Sequence, residues 1–195
     1  MDQVYNIAKF VHVISFVFMS VPLFNLIVVN ERALMGTSIN YATDRYFENI
    51  VKRGAIRCFV FQGSVLISGL TILTLGPGFT AIWANWVLLV KTLILILLMG
   101  LLSYVHFSLQ PKIENLLEVL SPDASVPSDL AEKLMPFRIQ RKKVATLCLF
   151  LVVTAIILGV QTYNRFHPYL TVTLIILAAG FARRVNKSLI RFGWF

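Results

Sequence analysis

The sequence predicts an all-α integral membrane protein, a bundle of about five transmembrane helices forming a single domain over residues 1–195. Three observations lead there. Hydrophobic residues make up 57% of the chain and charged residues only 14%, with a mean hydropathy of +0.77; a water-facing surface of this size needs about a quarter of its residues charged. The apolar residues gather in runs of 17 to 25, long enough at ~1.5 Å per residue to cross a hydrocarbon core of ~30 Å. The cations fall in the segments between those runs. Disorder, collagen and a disulfide-stapled secreted module are excluded by the same composition. An excess of 18 Lys and Arg over 9 Asp and Glu would suit a nucleic-acid binder only if it covered a water-exposed face. Here it reads as an orientation signal for membrane insertion, and no nucleic-acid partner is expected.

The first run, residues 10–29, contains no Asp, Glu, Lys or Arg. Asp2 and Lys9 precede it instead of a basic patch, and no small-x-small cleavage site follows, so it is a span and not a signal peptide. Pro22 inside it predicts a kink, its freed carbonyl satisfied by neighbouring helices. The second run, residues 58–75, ends at the turn signal Gly76-Pro77-Gly78. Its Gly63, Ser64, Ser68 and Gly69 would let another helix approach closely. The third, residues 83–107, carries one interior cation, Lys91, and the fourth covers residues 144–163.

The fifth run, residues 166–182, opens with His167-Pro168 and is the shortest. Charge decides that it spans. With five crossings, 15 of the 18 Lys and Arg fall on one side and two, Lys9 and Arg165, on the other, with Lys91 inside. Were the last run not to cross, the split would be 11 against 6. The positive-inside rule therefore places the N-terminus outside and the C-terminus in the cytoplasm, as a multi-pass protein of the cell membrane, the inner membrane of a bacterium or archaeon.

Between spans three and four, Ile113, Leu116, Leu117 and Leu120 recur at helical spacing and predict a short amphipathic cytoplasmic helix ending at Ser121-Pro122. Ser128 or Asp129 caps a second one, through Met135 and before Pro136. Two readings stay open: helices resting at the lipid interface with Lys and Arg toward anionic headgroups, or a docking surface for another subunit.

Ionisable residues inside a bilayer cost at least ~2.5–3.5 kcal/mol at mid-span and are candidate functional groups. Two qualify. His12 lies 17 residues from the end of span one, ~26 Å, and Lys91 lies 16 residues from the end of span three, ~24 Å. Those spans run the same way, so both side chains fall at one level in the outer leaflet. The alternatives are snorkelling of Lys91 toward Trp83 and Trp86 and a neutral His12 bonded to a neighbouring helix. His106, ~24 Å below His12, cannot share an iron with it, since axial ligands sit only ~2 Å from the metal; it meets Asn25 or anchors at the interface. His167, just outside span five, could approach His12 from above.

Cys58 and Cys148 make no disulfide framework and read as packing residues. The five Met residues form no cluster suited to copper(I). No nucleophile elbow, P-loop, metalloprotease motif or carboxylate pair is visible, so no complete catalytic motif is available to an enzyme. Every Asp and Glu falls in a loop or at the terminus, which argues against a carboxylate relay.

The stretch Ala8-Lys9-Phe10-Val11-His12-Val13-Ile14-Ser15 resembles the first helix of small polytopic proteins related to the CopD copper-resistance proteins and the HemJ-type protoporphyrinogen oxidase. So does Trp86-Val87-Leu88-Leu89-Val90-Lys91-Thr92-Leu93, two helices later, and the Arg53-to-Leu70 segment is similar in kind. After the histidine this chain reads Phe18-Met19-Ser20-Val21-Pro22-Leu23 in place of that group's aromatic-Gly-Leu-Pro-Arg pattern. The resemblance covers about the first 107 residues. It implies a haem or porphyrin contact at His12 and Lys91, with b-type haem as the cofactor.

Three functions follow as expectations. The first is a haem-associated redox or electron-transfer subunit, a component of a membrane oxidoreductase. In it His12 is the metal ligand or porphyrin contact, Lys91 a propionate partner, and His167 a further cofactor-binding candidate. The second is a cofactor-free structural accessory subunit packed against other membrane subunits or itself. The third, a metal or small-solute permease, is disfavoured by the scarcity of intramembrane polar groups. In all three the lipid bilayer is a partner.

Overall fold

The computed structural model describes residues 2–31, 40–118, 130–162 and 166–188, and among them it is built of helices and turns, without strands. Helix α1 runs Asp2–Asn30, α2 Tyr41–Leu75, α3 Thr80–Ala84, α4 Trp86–Tyr104, α5 Gln110–Glu118, α6 Leu130–Val160 and α7 Pro168–Lys187. A π-helical turn, Val105–Leu109, joins α4 to α5, and the amide of Gln110 donates to the carbonyl of Val105, five residues back. Counting α4 through α5 as one rod, five helices are long and apolar enough to cross a membrane. Leu120, Ser121-Pro122, the Ser128 and Asp129 caps, Tyr163, and the cations Arg32, Arg165 and Arg191 lie outside the described residues.

The helices outrun the apolar segments that predicted them. Polar stretches extend α1 back to Asp2 and α2 back to Tyr41. The Asn40 side chain caps α2 by accepting from the amide of Thr43, as an N-cap residue should. Trp83 is not part of the third span. Asn85 interrupts the helix, accepts from the amide of Val87 at 3.0 Å and starts α4 at Trp86. Pro136 does not end a separate short helix: α6 passes through it from Leu130. An interior proline costs a helix ~3 kcal/mol or more. Tertiary packing outweighs that, because Leu130 and Leu134 close over Ile113 and Leu117 of α5, with Phe137 and Tyr41 against them. The apolar face of α5 is thus covered by the chain's own α6, neither resting on lipid nor left open to another subunit.

Four helices, α1, α2, α4 and α6, share one interior. Helix α1 packs on α2 and α6, α4 packs on α2 and α6, and α7 lies against α6. Seven residues fall only ~20° short of two full turns, so every seventh position returns to the same face ~10.5 Å further on. The interior is therefore layered. Met19, Gln62, Leu98 and Val152 form one layer and Leu26, Ala55, Val105 and Ala145 the next, all of them lining one cavity. Seven residues above the first come His12, Gly69, Lys91 and Gly159. Outward-facing stripes are apolar instead: Phe10, Val13, Val17 and Val21 on α1 and Val172 and Ile176 on α7 are exposed. A chain with greasy outer faces and polar groups inside is built for lipid as its solvent.

Candidate functional site

His12 is held by α2. Its Nδ1 lies 3.0 Å from the carbonyl oxygen of Val65 and 3.2 Å from Ser68 Oγ. The Ser68 hydroxyl donates to the carbonyl of Ser64, and the Val65 carbonyl can only accept, so Nδ1 carries the ring proton. The neutral imidazole then keeps its lone pair on Nε2, the tautomer in which backbone-anchored histidines serve as ligands. Gly69 is what admits the ring. A methyl group at that position would stand 3.2 Å from Cε1 and 3.5 Å from Nδ1. Gly69→Ala is expected to leave stability within about 1 kcal/mol of the parent, because the helix propensity gained offsets the crowding, while moving the Nδ1 resonance of His12 in 15N spectra. An unmoved resonance would show that the ring has room to spare.

Lys91 enters the same layer from α4. Its ammonium packs 3.6 Å from where a Cβ on Gly159 of α6 would be, so it turns into the bundle instead of snorkelling to Trp83 and Trp86, which are exposed at the surface. Among the described residues no carboxylate pairs with it; the ion pairs found there join other groups. The layer is therefore a cation and a lone-pair donor without a compensating anion.

The other histidines lie apart. His167 is exposed at the head of α7 and stacks on Tyr169, ring centroids 5.1 Å apart, and no hydrogen bond or ring contact joins it to His12 among the described residues. His106 sits in the π-turn, edge-on to Phe59 at 5.6 Å and to Phe107 at 4.8 Å. Phe59 is ten residues below Gly69, about 15 Å along the axis. His106 does not meet Asn25, which is exposed. No group of three or more His, Cys, Asp or Glu converges as a metal site among the described residues.

At the far end of the bundle lies a charged layer that the sequence reading assigned to water and headgroups. Asp44 and Glu48 are on α2, not in a loop, and both are buried, as are Arg138, Arg141 and Lys142 of α6. Arg141 is 0% exposed. Its Nη1 donates to Glu48 Oε2 at 2.6 Å and to Gln110 Oε1 at 2.6 Å, its Nη2 to Glu48 Oε1 at 3.0 Å, and its Nε to Asn30 Oδ1 at 2.7 Å. Arg138 reaches Asp44 at 2.7 Å and Glu48 at 3.3 Å. Gln110 also donates to Glu48 at 3.2 Å. Two carboxylates thus face two guanidiniums in a closed network, tying α1, α2, α5 and α6 together. Burying these ions is costly, and the bidentate geometry is what offsets the cost. The missed signal is periodic. Counting back by sevens from Gly69 gives Gln62, Ala55 and Glu48, and from Gly159 it gives Val152, Ala145 and Arg138, so both charges stand on interior stripes.

No protein-family model, no curated protein and no solved structure matches this chain.

Proposed function

We propose that this integral membrane protein is a haem- or porphyrin-binding redox subunit whose site is the His12–Lys91 layer. The observation that carries the reading is that a histidine held in the Nε2 lone-pair tautomer shares its level with a half-buried ammonium that has no carboxylate partner among the described residues. His12 Nε2 would bind a haem iron and the Lys91 ammonium would hold a propionate. They do not fit a bis-histidine haem within the chain, because His167 and His106 stand elsewhere. A bound haem would supply one-electron transfer. In this arrangement the Val65 carbonyl holds the Nδ1 proton and orients the ring, and Lys91 would bind a haem carboxylate by charge-assisted hydrogen bonding. Titrating haem into the protein in lipid nanodiscs tests the reading: a saturable one-to-one spectral change supports it, and a purely linear, partitioning response overturns it.

Lys91→Met separates function from fold. Removing an uncompensated intramembrane charge is expected to stabilise the bundle by up to about 3 kcal/mol. Losing one charge-assisted hydrogen bond, worth roughly 1.5–3 kcal/mol, should weaken porphyrin binding roughly tenfold or more. Thermal unfolding in detergent and the same titration read the two effects. A variant that is less stable than its parent would assign Lys91 a structural role.

A second reading, a structural accessory subunit, draws on Gly63. Ser68 and Gly69 face α1, but Gly63 opens onto free space beside exposed Val60 and Ile67, where a neighbouring helix of another subunit could approach.

A further inference from the structure

Beneath the His12 layer the four helices line a pocket of about 50 Å³ that is partly open at the bundle surface. Its wall is almost wholly apolar, but two features do not belong in a dry pocket. Gln62 lines it at 2% exposure, and its Oε1 has no hydrogen-bond partner in the protein. A buried amide oxygen left unpaired costs about 1–3 kcal/mol, so native structures supply a partner, commonly water. Two free thiols, Cys58 of α2 and Cys148 of α6, complete the polar set. One water needs roughly 10–15 Å³ by this measure and two to four polar partners. The volume admits a few waters, and the unpaired Gln62 Oε1 is the group that would anchor them.

We propose that this chamber is an internal water site, anchored by the Gln62 amide and reaching both thiols. Its position gives it a use that does not depend on what binds at His12. Gln62 is one turn below Val65 and two below Gly69 on the same face of α2, so water held there would bring exchangeable protons close to the inner side of the His12 layer.

The thiols are built-in reporters. The S–H stretching band lies in an infrared window free of other protein bands, and a thiol exchanges its proton for deuterium only when water reaches it. The protein in nanodiscs is transferred to D2O, with Cys58→Ser and Cys148→Ser assigning the two bands. Both are expected to convert to S–D within minutes. Gln62→Leu, which replaces the anchor by an apolar side chain, should slow that conversion roughly tenfold or more with helix content unchanged. S–H bands that persist for hours in the parent would overturn the proposal, and so would a folded Gln62→Leu protein exchanging at the parent's rate. Should Gln62→Leu not fold, radiolytic hydroxyl labelling of the parent decides alone. Met19, 1% exposed on the chamber wall, is labelled if water is beside it and is spared if the chamber is dry.

Discussion

Arg141→Ala is expected to destabilise the protein by about 3–5 kcal/mol, the cost of leaving a partner charge buried after one member of an ion pair is removed. Arg141 makes four hydrogen bonds to three residues on three other helices. Its loss leaves Glu48 with Arg138 at 3.3 Å and the Gln110 amide at 3.2 Å, and leaves the Asn30 side-chain oxygen without its guanidinium donor. The double change Arg141→Leu with Glu48→Leu should recover most of the loss, since an apolar pair of similar volume does not carry the desolvation penalty. Arg138 keeps Asp44 at 2.7 Å in that variant. Equilibrium unfolding in mixed micelles measures both. A loss under about 1 kcal/mol for the single variant would mean that water reaches the network and screens it, as at exposed ion pairs.

The second large effect is at His12. On the proposed haem reading, His12→Ala is expected to abolish binding, because no second histidine among the described residues is placed to replace the Nε2 lone pair: His106 is fixed between Phe59 and Phe107, and His167 on Tyr169. Stability should fall by only about 1 kcal/mol, the usual net worth of one hydrogen bond. His12→Gln, which can still donate to the Val65 carbonyl, should keep the fold and lose the iron ligand. The contrast with Lys91→Met is diagnostic. Loss of the axial ligand changes the spectrum itself, whereas loss of the propionate partner changes the affinity and leaves the spectrum of the bound form alone.

The spans were legible because a membrane helix must satisfy all its backbone groups within itself, which writes long apolar runs into the sequence. The matched depth of His12 and Lys91 was legible for the same reason: a fixed rise per residue converts sequence position into height. What height cannot give is direction around the helix. Sequence allows Lys91 to snorkel outward; its packing against Gly159 turns it inward. The charged layer was hidden because Asp44 and Glu48 stand in a polar stretch, Tyr41 to Arg57, that looks like a loop on hydropathy alone. Its helix is made by capping at Asn40 and by packing on α1. Positive-inside counting added to the error by treating Arg138, Arg141 and Lys142 as headgroup cations, when all three are buried on α6. Likewise Pro136 was a local stop signal overruled by the contacts of Leu130 and Leu134 with α5.

The proposed site requires His12 to offer Nε2 to an iron beside Lys91. The most direct test is a reduced-minus-oxidised absorption spectrum of the protein purified from membranes and supplied with haem in nanodiscs, recorded beside His12→Ala. It predicts a b-type difference spectrum in the parent that the variant lacks. A folded parent with no such spectrum, or a variant that retains it, would contradict the assignment and leave the bundle as a membrane scaffold.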